Sequence, residues 1–88
     1  MRFEWDARKA NANLRQHGVS FEEACTVFDD RREKLQFDGA HSAIEDRYRL
    51  FGHSTAGRML VVVHCYRGGE AIRVISAYKA SRTERADY

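Results

Sequence analysis

The stretch RMLVVVHCYRGGEAIRVISAYK, residues 58–79, decides the fold. Two runs rich in β-branched residues flank Gly68-Gly69, the pattern of a β-hairpin closed by a tight turn. Both runs are apolar on successive positions for most of their length, so they belong at the centre of a sheet with both sides covered. A two-residue turn at Gly68-Gly69 sets Arg67 opposite Glu70. Continuing outward, His64 faces Arg73, Val63 faces Val74, Val62 faces Ile75, Val61 faces Ser76, Leu60 faces Ala77, Met59 faces Tyr78 and Arg58 faces Lys79. Two cations opposite each other on an exposed strand end repel by roughly 0.2–1 kcal/mol. Arg58 and Lys79 are therefore a candidate anion site, the alternative being a merely solvated strand end. His64, between valines, reads as a hydrogen-bonded core histidine rather than a catalyst.

Upstream of the hairpin the period is also two. In EKLQFDG, residues 33–39, Leu35 and Phe37 alternate with polar neighbours, and in DRYRLFG, residues 46–52, Tyr48 and Leu50 alternate with Arg47 and Arg49. Short turns, GAHSA, HSTAG and GG, separate four strands, which predicts an antiparallel meander. The first thirty residues are helical instead. Asp6 caps a helix whose stripe is Ala7, Ala10 and Leu14, with Lys9, Asn13 and Gln16 on a solvated face and Gly18 as its left-handed stop. Ser20 and Glu23 form a capping box for a second helix that carries Phe21, Ala24, Cys25 and Phe28 inward.

At 88 residues with 43% hydrophobic side chains, the chain fits a single domain, residues 1–88, with one modest core. The longest aliphatic run, MLVVV, is far short of the ~20 residues of a membrane helix, so no membrane association is expected. The opening MRFEWDARK has charges where a signal peptide needs apolar residues, which predicts a cytoplasmic protein. Cys25 and Cys65 read as reduced core residues. His17, His41 and His53 lie on separate turns without an i,i+4 partner, and no Cys-x-x-Cys occurs, so neither metal nor cofactor is expected. Net charge is only +2, yet residues 58–88 carry six Lys and Arg against three Asp and Glu. A basic last third suits a polyanion or an acidic protein partner.

Several distinctive strings occur together: Trp5-Asp6, His17-Gly18-Val19-Ser20-Phe21, Glu45-x-Arg47, Gly57-Arg58 and Ile75-Ser76-Ala77. Over nearly its whole length the chain resembles the BrnT toxins of bacterial type II toxin-antitoxin systems. The resemblance implies an α+β, RelE-like fold: an antiparallel β-sheet with two N-terminal helices packed on it and a short C-terminal helix. It implies a ribonuclease that inhibits translation and is neutralised by a BrnA-like ribbon-helix-helix antitoxin. The expected assembly is a 2:2 hetero-oligomer that meets DNA only through the antitoxin. Two positions depart from the family pattern: Gln16 stands where a basic residue usually precedes His-Gly, and Tyr78 where an Arg usually follows Ile-Ser-Ala.

RNA cleavage without a metal needs a base for the 2′-hydroxyl, an acid for the leaving 5′-oxygen, and cations for the developing charge. Arg58 and Lys79 are the expected charge stabilisers. Arg47 and Arg49 share a strand face and extend a phosphate-binding stripe. Glu45 is the leading base by family position and chemistry; its alternative is an ion pair with Arg47, two residues on. Tyr78 either stacks a base or donates a proton, with its pKa lowered by cations, or plugs the core opposite Met59. His17 is kept as a site candidate by the family string, against a role at its helix C-terminus. Arg82, with Arg85, and Lys9 are candidate RNA contacts. The competing function is a non-catalytic homologue that serves as an antitoxin-binding, corepressing module.

Overall fold

A computed structural model describes residues 2–42, 45–86 and 88; Ala43, the last residue of the expected GAHSA turn, lies outside them. Among these residues the chain runs β1 (Arg2–Glu4), α1 (Ala7–His17), α2 (Phe21–Thr26), β2 (Lys34–Phe37), β3 (Tyr48–His53), β4 (Met59–Arg67), β5 (Ala71–Lys79) and α3 (Arg82–Ala86). Single 3-10 turns cover Val27–Asp29 and Gly39–His41. The five strands form one sheet in the order β1-β5-β4-β3-β2. The expected meander is β2 to β5, but the sheet is mixed rather than antiparallel, because β1 pairs in parallel with Ala71–Arg73. Three residues of RFE carry no periodicity of their own; the tertiary pairing makes them a strand.

The hairpin register also differs from the expectation. Glu70 joins Gly68 and Gly69 in a three-residue loop, so Arg67 pairs with Ala71. Further along, Val63 pairs with Ser76 and His64 with Val74, which leaves Ile75 as the extra residue of a β-bulge. The two changes add. Val61 now opposes Tyr78 and Leu60 opposes Lys79, so neither Arg58 with Lys79 nor Met59 with Tyr78 is a cross-strand pair; Arg73 opposes Cys65 rather than His64.

Alternation then sorts the two sides of the sheet. Leu50, Leu60, Val62, Val74 and Ala77 pack against Val19, Phe21, Ala24 and Val27 of the helical layer. Each fully buried Val, Leu or Phe among them contributes about 1.5–3 kcal/mol by leaving water. Gly52 allows the closest approach: a Cβ there would lie 2.9 Å from both Val27 Cγ1 and Asp30 Oδ2. His64 is fully buried on this side, its Nδ1 3.1 Å from the Val62 carbonyl and its ring against Phe28, Tyr48 and Tyr66. It is the hydrogen-bonded core histidine expected, and burial depresses its pKa despite the Val62 contact.

The helix caps form largely as anticipated. The Asp6 carboxylate accepts from the Arg8 and Lys9 N–H groups, and Gly18 ends α1 at φ 68°. The Ser20 hydroxyl accepts from the Glu23 N–H, but the Glu23 carboxylate is bonded elsewhere, so only half of the box is a cap. The stripe of α1 is a correction: Leu14 is 50% exposed, while Asn13 is buried. The reason lies at the edge of β5 beyond β1. There the Asn13 amide donates to the Ala77 carbonyl (2.8 Å) and the Val19 carbonyl (2.9 Å), and its oxygen accepts from the Ala77 N–H (3.1 Å) and the Ser76 hydroxyl (3.3 Å). One side chain thus closes an edge that a strand would otherwise have to pair. Cys25 and Cys65 are both free, Cys25 half-buried and its thiol pushed up to about 11 by burial and the nearby Glu22. No helix among the described residues is long and apolar enough to cross a membrane.

Candidate active site

On the side of the sheet away from the core, β3 presents Arg49 and Phe51, β4 presents Val61 and Val63, and β5 presents Ser76 and Tyr78, all by register. Arg47, just before β3, continues the row. A shallow depression is lined by Arg47, Arg49, Val63, Ser76 and Tyr78, with His41 and Asp38 at its margin. A second depression lies beyond Arg49, lined by Lys34, Leu35, Gln36, Phe51 and Glu84. Arg49 forms the wall between them. Its guanidinium lies over the Phe51 ring, 5.6 Å from the centroid, and donates to Gln36 Oε1. Its Nε is buried and has no hydrogen-bond partner among the described residues, an unmet donor in the middle of the face.

Tyr78 and Glu84 meet beside Arg49. The chain leaves β5 and immediately enters α3, where Ser81 and Glu84 form a reciprocal capping box. The Ser81 hydroxyl accepts from the Glu84 N–H (3.1 Å), and Glu84 Oε1 accepts from the Ser81 N–H (2.8 Å). That box fixes the carboxylate so that Oε2 accepts the Tyr78 hydroxyl at 3.0 Å. Burial, then the hydrogen bond and charge of Glu84, push the Tyr78 phenol above its ordinary value, against the opposing pull of Arg49. The expected lowering is therefore reversed, first because burial disfavours the phenolate and then because Glu84 adds to that effect. Burial also acts to raise the Glu84 carboxyl, but the Ser81 N–H, Tyr78, the Ser81 side chain and Arg49 outweigh it and hold the group below the usual carboxylate range. At neutral pH the pair is a neutral phenol and a carboxylate. The His17 ring lies 5.9 Å from the Tyr78 ring, so the end of α1 adjoins this corner.

Arg58 is differently placed. Its Nε donates to Glu23 Oε2 at 2.9 Å, one terminal nitrogen bonds Glu23 Oε1, and that nitrogen also reaches the Gly18 carbonyl at 3.1 Å. Ser54 completes the knot, its hydroxyl donating to the same carboxylate at 2.7 Å. The Arg58 contact is the largest cause of the depressed Glu23 pKa. The acid that the hairpin lacks is supplied by α2, thirty-five residues earlier in the chain. Arg58 and Lys79 nonetheless line one depression at the end of the sheet, with His53, Met59 and Arg85.

The remaining candidates are scattered. Glu45 pairs with Arg67 at 3.4 Å rather than with Arg47. Arg82 and Lys9 are exposed on α3 and α1. Glu84 is the residue the sequence reading missed; Ser81-x-x-Glu84 directly after a strand was the available signal. Among the described residues no three His, Cys, Asp or Glu side chains group to hold a metal ion.

Residues 5–84 match the family described as the ribonuclease toxin, BrnT, of type II toxin-antitoxin systems. The chain is also similar to the Brucella abortus ribonuclease toxin BrnT, whose crystal structure is known at 1.1 Å. The two share 25% identity over 93% of this chain and 99% of that one, with a TM-score of 0.70. No curated protein matches the sequence.

Proposed function

Because the chain belongs to the BrnT family of ribonuclease toxins of type II toxin-antitoxin systems, we propose that it is a RelE-like endoribonuclease that cleaves RNA on the side of the sheet away from the core. The observation that carries this reading is the convergence of Arg49, Tyr78 and Glu84 from three separate elements. In this reading the RNA backbone lies along Arg47 and Arg49, and the guanidinium of Arg49 meets the scissile phosphate. Glu84, already ionised, takes the proton of the 2′-hydroxyl. The 2′-oxygen attacks phosphorus, the P–O5′ bond breaks, and the Tyr78 phenol, held protonated, gives its proton to the departing 5′-oxygen. The products are a 2′,3′-cyclic phosphate and a 5′-hydroxyl. Both shifts keep the phenol protonated and the carboxylate ionised at neutral pH, the states that these two roles require.

His17 orients Tyr78 from the end of α1. Arg58 acts indirectly, by fixing the β3–β4 loop to α2, while Lys79, Arg82 and Arg85 lead RNA over the sheet end. Lys9 and Glu45 lie outside this track, and Glu45 positions Arg67. Cleavage needs no metal, because cations of the chain take the role of charge stabiliser. The outcome in the cell is arrest of translation, held in check by a BrnA-like ribbon-helix-helix antitoxin in a 2:2 complex.

The test is incubation of the purified chain with RNA in EDTA, with end-group analysis of the products. Cleavage to cyclic phosphate ends that is lost in Glu84→Gln supports the assignment. Intact RNA beside tight antitoxin binding would instead support the corepressing module.

A further inference from the structure

The two long edges of the sheet are finished differently. Where β5 runs past β1, the Asn13 side chain satisfies the backbone of Ala77. At the opposite edge β2 pairs with β3 and with no other strand among the described residues. The Asp38 N–H bonds the Arg47 carbonyl at 2.8 Å, so by antiparallel alternation the backbone groups of Leu35 and Phe37 point away from β3. They find no backbone partner among the described residues. The side chains of the same two residues are each 52% exposed, on the side of the sheet where the helices stop short. Phe37 continues into Tyr48 and then Tyr66 through ring contacts of 5.5 and 5.2 Å, and Tyr66 is itself 49% exposed. An exposed, apolar, unpaired edge is a template for another strand.

Strand alternation also specifies what that strand must carry. Residues over Leu35 and Phe37 lie on the apolar side; those beside Lys34 and Gln36 lie on the side of Arg49, with exposed Arg31 and Arg32 just before the edge. A second copy of β2 would set cations near cations. We infer that the protein antitoxin of this type II system adds an extended segment along β2, with apolar side chains alternating with acidic ones. The apolar row covers Leu35, Phe37 and Tyr66, and the acidic row reaches toward Arg49, so docking at the edge also closes the RNA face. This last point rests on the reading of that face as the cleavage site; the docking itself does not.

The probe is a synthetic peptide of about ten residues alternating Val and Glu, with an alternating Val and Lys peptide as its control. Added to the isotope-labelled full chain at up to about 1 mM, the Val/Glu peptide should shift the amide signals of Leu35 and Phe37 first and slow RNA cleavage. Phe37→Pro removes an outward N–H that β3 does not use, so it should weaken the peptide at least about tenfold while the free chain keeps its RNA cleavage. No shift at β2, equal binding of the two peptides, or undiminished binding to folded Phe37→Pro overturns the proposal. Self-association of the free chain that Phe37→Pro abolishes gives the edge to a second copy and overturns it too. Shifts at β2 with cleavage unaffected keep the docked strand but refute the cleavage face.

Discussion

The two sides of the sheet treat their polar side chains in opposite ways. On the helical side, Asn13 makes four hydrogen bonds, and Glu23, Ser54 and Arg58 bond one another and the Gly18 carbonyl. On the other side Arg49 keeps a buried donor without a partner, and Tyr78 and Glu84 stand at the rim of open depressions. A polar group whose valences are all met within the chain stabilises the fold, and a buried one left unmet needs another account, which the proposed cleavage role of Arg49 supplies. Arg58 and Arg49 look alike in the sequence, as cations in or beside apolar strands. Their partners distinguish them.

The comparison breaks first if Arg49→Ala is harmless. Loss of a donor aimed at developing negative charge typically costs ~2.7–4 kcal/mol, about a hundredfold to a thousandfold in rate. Arg49→Ala should therefore lose cleavage on that scale in a single-turnover assay while its melting temperature stays within a degree or so.

Asn13→Ala should behave in the reverse way. It strands the Ala77 N–H and two carbonyls, at a cost of about 1–3 kcal/mol for each buried group left unpaired. Denaturant titration should show a large loss of stability, with cleavage by the remaining folded fraction unchanged.

A smaller effect separates the arginines themselves. Arg58→Ala should lower the melting temperature by several degrees, and adding Glu23→Gln should restore part of the loss, since the unpaired carboxylate is then gone. Folded Arg58→Ala should retain more activity than Arg49→Ala.

The smallest signal is in acid. The folded pKa of Glu23 is below its reference of 4.5, chiefly through Arg58, so its contribution is present above that value and fades as pH falls below it. Asp30 adds a second component: Tyr88, then the His53 and Arg32 N–H groups, hold it at about 2, so its share is lost between about 3.8 and 2. Melting temperature against pH should thus decline from about 4.5 downward. Arg58→Ala should flatten chiefly the upper part of that decline, and Arg49→Ala should change it only slightly, through its smaller share in lowering Glu84.

What could be read from the sequence follows from how local each cause is. The β4–β5 hairpin, the Asp6 and Gly18 caps and the inward Phe21 and Ala24 each depend on a few adjacent residues, and all are found. The register depends on whether Glu70 joins the turn and whether Ile75 bulges. Each shifts the pairing by a single residue, enough that Arg58 and Lys79 no longer stand opposite each other. β1 and the Glu23–Arg58 pair are set by contacts across dozens of residues, for which no short pattern exists. Of the proposed site, Arg47, Arg49, Tyr78 and His17 were candidates in the sequence and lie near one another in the fold, while Glu84 is marked in the sequence only by its capping box with Ser81.

The most direct test of the central claim is to locate bound RNA. A short RNA with 2′-O-methyl groups cannot be cleaved, so it can be titrated into the isotope-labelled chain and followed by amide chemical shifts. The account predicts the largest changes at Arg49, Ser76, Tyr78 and Glu84. Changes confined to His53–Arg58, or to the exposed face of α1, would contradict it.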